Sequence, residues 1–194
     1  MAGRPRTFDA GEALERAMVV FLARGFERAS IDELSEATGV VRQSLYHTFG
    51  DKRALFLKAL DHYGYTRFQW LIDELGRDRP VMESIRAVLN GWADRVSKSG
   101  FKGCLVCNSL IEFADQDKDV AAICDKHNGR IEKAFRDAIA RGKERGELAA
   151  SIDERAVAEF FANLGQGLAL QGRRGIQRQK AAEICAVAEA VLAG

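Results

Sequence analysis

Apolar residues recur along this 194-residue chain at helical rather than strand spacing. Between residues 13 and 22, Ala13, Leu14, Ala17, Met18, Phe21 and Leu22 form one stripe down the face of a helix. Arg24 and Gly25 should close it, because a cation suits the C-terminal end of the helix dipole and glycine takes left-handed geometry most easily. Ser30-x-x-Glu33 is a capping box opening a second helix with Ile31 and Leu34 inward. Gly39 ends that helix after about two turns, too few for independent stability, so a third helix starting near Val41 has to pack on the first two. The period continues through "ALFLKALDHYGYTRFQWLIDELG", "MESIRAVLNGWADRVS", "CLVCNSLIEFADQ" after the glycine-spaced link "KSGFKG", a long stretch from about 117 to 145, and two terminal helices split by "QGRRG". In residues 156–168, Ala156, Val157, Phe160, Phe161, Leu164 and Leu168 make a wide stripe. Gly165 and Gly167 inside it each cost about 1 kcal/mol relative to Ala, which predicts a close helix contact through the missing side chain. With only Pro5 and Pro80 and no strand-like alternation, the expected fold is all-α.

Short helix, glycine turn, short helix is the helix-turn-helix arrangement, whose second helix can enter a DNA major groove. In "GVVRQSLYHTFGDKRALF", residues 39–56, Val40, Leu45 and Phe49 can turn inward, leaving Arg42, Gln43, Ser44, Tyr46, His47 and Thr48 outward or along the edges. Arg and Gln are the side chains that read guanine and adenine edges, whereas Ser, Tyr, His and Lys suit phosphate oxygens. Arg42, Gln43 and Ser44 sit at the helix N-terminal end, where base contacts are made, and Lys52 opens the next helix beside free backbone N–H groups. On composition alone, a merely solvated helical face reads equally well.

These residues carry a resemblance. From residue 7 to about 60 the chain resembles the TetR family of bacterial transcriptional regulators, through the amphipathic first helix, the Gly25-Phe26 corner, the Ser30 cap, Gly39 and the Tyr46/Phe49/Lys52 spacing. The resemblance implies an N-terminal helix-turn-helix domain over residues 1–52 and a C-terminal helical domain over 53–194 for effector binding and dimerisation. It implies Ser30, Arg42, Gln43, Ser44, Tyr46, His47 and Lys52 as the DNA-facing set, and release of a double-stranded operator by a small-molecule effector. Two departures stand out: Val41 occupies the position where the family often places a capping Ser or Thr, and Gln43 replaces a small residue. The last two helices of the family form an isologous homodimer, here through Phe160, Phe161, Leu164, Leu168, Ile184, Ala188 and Val191, although apolar periodicity in 153–193 also fits an intrachain core. A symmetric dimer reads two half-sites, so the operator should be pseudo-palindromic.

Composition narrows the remaining options. The net charge is only +1, so affinity for nucleic acid has to come from local placement of Lys and Arg. Arg4 and Arg6, flanking Pro5, offer a minor-groove arm; a frayed terminus is the plain alternative. No apolar run reaches membrane-spanning length and no signal-like segment opens the chain, which predicts a cytoplasmic protein. Phe68, Trp70, Trp92, Phe101 and Phe113 are candidates to line an effector cavity, set against plain core packing. Cys104-x-x-Cys107 and Cys124-x-x-His127 superficially match zinc spacing, yet both lie in helix-like stretches, so inert buried thiols are expected and no metal. Gly103-Cys104-Leu105 also resembles the reactive segment of thiol-responsive repressors of N-ethylmaleimide reductase. The lysine that partners the thiol there aligns with Gln171, leaving Lys102 and the helix N-terminus to lower the Cys104 pKa. No GxSxG, Walker A, HExxH or dinucleotide fingerprint occurs, so neither an enzyme nor a cofactor is expected. The rival readings are a thiol- or metal-responsive repressor using Cys104 and Cys107, and a ligand-binding dimer without sequence-specific DNA binding.

Overall fold

The computed structural model describes residues 8–113 and 116–192, and among them every regular element is a helix. The expected first helix is α1, Ala10–Arg24, which starts three residues earlier than its apolar stripe because the Asp9 carboxylate accepts from the N–H groups of Gly11 and Glu12 at 2.7 and 3.0 Å. Gly25 ends it at φ 79°. The predicted capping box opens α2, Ile31–Thr38: Ser30 Oγ accepts from Glu33 N–H and the Glu33 carboxylate accepts from Ser30 N–H, both at 3.1 Å. Gly39, at φ 70°, turns the chain into α3, Arg42–Phe49, which begins at Val41 without any side-chain cap. Asp51 then caps α4, Lys52–Leu75, by accepting from Ala54 N–H at 2.7 Å.

Helices α5 (Val81–Val96), α6 (Leu105–Phe113), α7 (Lys118–Glu144), α8 (Glu154–Arg173) and α9 (Arg178–Ala190) complete the chain. Helix α8 runs straight through Gln171-Gly172-Arg173, so the break expected at "QGRRG" falls only at its last residues, at Gly175 with φ 86°.

Two apolar cores result. One joins α1, α2, α3 and the first half of α4 around Met18, Phe21, Leu34, Leu45, Phe56 and Leu60. The other joins α5, α7, α8, α9 and the end of α4 around Ile85, Trp92, Phe135, Ile139 and Phe161. Eight-residue helices such as α2 and α3 have no stability of their own, so burial of Leu45 and Phe49 holds α3 in place. The expected boundary between residues 52 and 53 lies in the first turn of α4, a continuous 24-residue helix whose Leu55, Phe56, Ala59 and Leu60 belong to the N-terminal core. Helix α4 thus serves both cores.

Candidate nucleic-acid interface and effector cavity

The outward face of α3 is polar. Arg42, Gln43, Tyr46, His47 and Thr48 are exposed and Ser44 is half-buried, while Leu45 and Phe49 sink into the core. The turn before α3 is braced from within: Ser35 Oγ donates to Val40 O at 2.7 Å, and Thr38 Oγ1 donates to Leu34 O at 2.7 Å while accepting from Val40 N–H at 3.3 Å. Arg42 pairs with Asp32 of α2, both side chains more than half exposed. Such a pair is weak in water and yields its guanidinium readily to a better partner.

Two members of the predicted set are already engaged. The Ser30 hydroxyl accepts at the α2 cap, and Lys52 Nζ donates to the carbonyls of Ala29 and Glu27 at 3.1 and 3.4 Å while lying 4.3 Å from the Phe26 ring centre. Lys52 therefore ties down the corner between α1 and α2 instead of joining the α3 face. A clamp that sequence reasoning missed acts on the same corner. The Glu112 carboxylate of α6 accepts from Phe26 and Glu27 N–H, each at 2.9 Å, and a Cβ on Gly25 would sit 2.8 Å from Glu112 Oε2. Lys58 Nζ, also missed, donates to the Phe49 carbonyl at the end of α3 at 3.2 Å, a cation placed where the helix dipole favours it. Arg4 and Arg6 lie outside the described residues.

Between α4, α5, α7 and α8 lies a cavity of about 70 Å³ that opens to the surface. Phe68, Trp70, Trp92 and Phe101 are among the residues that line it. Phe113 does not: its ring packs 5.4 Å from both Phe26 and Phe56 in the N-terminal core, because it sits at the far end of α6 from the cavity. Gly165 makes the predicted close contact, since a Cβ there would lie 2.9 Å from the Trp92 indole, whereas Gly167 faces open space.

Cys104 and Cys107 also line this cavity. Cys104 immediately precedes α6. Its thiol is held down to about 7, chiefly by the Cys107 thiol donating to it and further by the N–H groups of Cys107 and Val106 and the Tyr63 hydroxyl, all acting against burial. The helix N-terminus thus contributes as expected, but a thiol and a phenol stand where Lys102 was expected. Cys107 is pushed far up by the same shared hydrogen bond, and burial pushes Cys124 up to about 12 and Cys185 up to about 11. His127 does not turn to the cysteines. It is fully buried, with Nε2 2.8 Å from Asp61 Oδ1 and Nδ1 3.2 Å from Arg130 Nη1, an arrangement that suits a neutral ring donating to the carboxylate and accepting from the guanidinium. Burial, the largest influence, holds its pKa below the usual histidine value. Among the described residues no group of three or more His, Cys, Asp or Glu side chains is arranged to hold a metal ion.

The proposed dimer residues divide by face. Phe161 stacks on Phe135 at 5.0 Å, and Leu168 and Ala188 are likewise buried within the chain, so these three are its own core. Phe160 and Val191 are exposed, Leu164 and Ile184 are half-buried, and Leu170 and Val187, which sequence reasoning passed over, are exposed with them. Neighbouring helical positions point about 100° apart, which is why Phe160 and Phe161 part company.

A family model described as "Bacterial regulatory proteins, tetR family" matches residues 13–59, and one described as "Tetracyclin repressor-like, C-terminal domain" matches residues 81–191. The chain belongs to the TetR family. The transcriptional repressor BdcR of Escherichia coli is 32% identical over 187 residues, covering 96% of this chain and 88% of its own. The uncharacterized regulator YezE of Bacillus subtilis is 33% identical over 75% of this chain and 76% of its own. Among solved structures, a cysteine-substituted form of the TetR-family regulator CifR, complexed with 26-base-pair operator DNA, is 32% identical with a TM-score of 0.87, covering 98% of this chain and all of that one. The reduced form of E. coli NemR shares the fold at 22% identity and a TM-score of 0.85, over 94% of this chain and 95% of that one. The tetR match spans α1 to the first half of α4, and the C-terminal match spans the helices that complete the cavity. No helix among the described residues is long and apolar enough to cross a membrane.

Proposed function

We propose that this TetR-family chain is a cytoplasmic transcriptional repressor that binds a pseudo-palindromic operator as a homodimer and is released by a small molecule entering the α4–α8 cavity. The observation that carries the reading is the polar outer face of α3, presented by two buried apolar anchors and a braced turn. Arg42 and Gln43, at its N-terminal end, read bases; Ser30, Ser44, Tyr46 and His47 position phosphates; Lys52 shapes the corner that carries them. Residues 1–52 present this face, and residues 53–194 supply the cavity and the dimer surface through Phe160, Leu164, Ile184 and Val191. The chain acts by binding and not by catalysis.

Selection from a randomised DNA pool with purified, reduced protein tests this reading. Enrichment of a pseudo-palindrome, bound with an affinity that falls steeply with salt, is the expected result. A stable dimer that enriches nothing at low salt would point instead to a ligand-binding module.

A second reading has its own observation: Cys104 is a low-pKa thiol in the cavity wall, which makes it the candidate for a thiol-responsive release. A small alkylating agent should modify Cys104 first, with a rate that climbs through about pH 7 as the thiolate forms, while Cys124 and Cys185 stay slow until far more alkaline pH. Mass spectrometry after limiting reagent checks this, and equal labelling of Cys104 and Cys185 would remove the thiol reading.

A further inference from the structure

The cavity wall is unevenly charged. It includes two guanidinium groups, Arg67 and Arg95, and no carboxylate among the described residues. Arg67 is compensated outside the cavity by Glu15, 2.9 Å away. Among the described residues Arg95 has no acidic partner: its Nη1 donates to the Arg67 carbonyl at 3.4 Å, and its guanidinium lies 5.0 Å from the Trp70 ring centre. The adjacent acid, Asp94, is taken by Arg178 at 2.9 Å. Arg95 is exposed at the cavity mouth, so water solvates its guanidinium and leaves it available to an incoming anion, while the part of it packed against the wall pulls its pKa down. The ionisable groups that face it are Tyr63, Arg67 and Cys104, and only Cys104 carries negative charge near neutral pH.

Around Arg95 the wall is aromatic. Trp70 lies against Gly91, where a Cβ would come within 2.8 Å of the indole, and Trp92 lies against Gly165 in the same way at 2.9 Å. Both glycines let an indole settle against helix backbone. The free volume, about 70 Å³, is about half that of an engineered apolar cavity of ~150 Å³ that takes up benzene. The occupant is therefore at most one ring, only part of it inside the present volume and its remainder at the open mouth where Arg95 stands. Asn128 and Gln166 contribute side-chain amides to the same wall, and amide N–H groups suit carboxylate oxygens.

We infer that the effector is a single-ring aromatic monocarboxylate, its ring between Trp70 and Trp92 and its carboxylate on Arg95. The inference rests on the reading of this cavity as the effector site and names the chemistry that site accepts. Guanidinium is the right group for the task, because its planar fork pairs a carboxylate through two parallel hydrogen bonds.

The chain holds two tryptophans, and both line the cavity, so its indole fluorescence reports directly on occupancy. The test titrates benzoate, phenylacetate and salicylate, with benzamide and benzyl alcohol as neutral counterparts, into the purified protein at pH 6, where the Cys104 thiol is protonated. Calorimetry serves as the second readout. At least one carboxylate should bind at least tenfold more tightly than the neutral compounds, and Arg95→Gln should erase that preference while the melting temperature stays put. Arg95→Lys, which keeps the charge but not the fork, should retain part of it. Neutral compounds binding as well as the acids, a preference that survives Arg95→Gln, or no carboxylate binding at millimolar concentration would each overturn the inference. The same compounds are then added to protein on its selected operator, which separates the two levels. A carboxylate that binds through Arg95 without releasing DNA upholds the ligand class and defeats the effector reading. Release by neutral aromatics alone does the reverse.

Discussion

Gly64→Ala should sharply destabilise the protein, against the usual sign for a glycine inside a helix. Exchange to alanine in a helix interior normally gains up to about 1 kcal/mol. Here a Cβ would stand 2.2, 2.3 and 2.5 Å from three ring atoms of His127. The imidazole cannot retreat cheaply, being fully buried and fixed at one nitrogen to Asp61 and at the other to Arg130. Overpacking costs roughly 1–3 kcal/mol and a displaced buried hydrogen bond a similar amount, so a net loss of about 2–4 kcal/mol is expected. In a chain of this length that lowers the melting temperature by roughly 5–15 °C. Thermal melts of Gly64→Ala, His127→Ala and the double variant check it: the double should be more stable than the two single losses would sum to, since the added methyl occupies the space the ring vacates. A Gly64→Ala protein that melts with the wild type would mean that α4 and α7 do not pack as described.

Arg42→Ala should weaken operator binding by about 1–3 kcal/mol, roughly 5- to 150-fold, and relax preference at one base pair of each half-site. On removal the Asp32 carboxylate loses its partner, but both groups are solvated, so the folded protein should hardly notice. Lys52→Ala makes the informative contrast. Its ammonium grips the 27–29 carbonyls, so its loss should lower thermal stability and weaken specific and random DNA alike. Binding curves on operator and on scrambled duplex separate the two outcomes. If both variants lost the same factor on both duplexes with unchanged melting, the division between reading and positioning residues would be wrong.

The N-terminal unit was legible because its signals are local. The stripe from Ala13 to Leu22, the Ser30–Glu33 box, Gly39 and the uncapped Val41 each act within a few residues, and each appears where the sequence puts it. Four of five candidate cavity aromatics converge for a weaker reason: helical period says which residues share a face, but not which helix covers it. Phe113 shows the limit, since the same aromatic character serves a cavity or a core according to which end of α6 it occupies. Phe161, Leu168 and Ala188 show it again, buried by the chain itself where an outward partner was equally consistent with the pattern. The polar clamps were out of reach. Glu112 meets Phe26 across 86 residues and His127 meets Asp61 across 66, pairings that only the completed topology creates.

The Glu112 clamp has a mechanical side. Helix α6 begins right after Cys104, in the cavity wall, and ends just after Glu112, which grips the corner leading into the DNA-reading helices. Nine helical residues span only about 13 Å and behave as a stiff strut. Carboxylate-to-amide bonds of 2.9 Å tolerate little stretching before they cease to bind. Anything that pushes the cavity end of the strut along its axis must therefore drag the α1–α2 corner with it or let go. In the proposed dimer each recognition helix would thus be geared to its own cavity through about two and a half rigid turns of backbone.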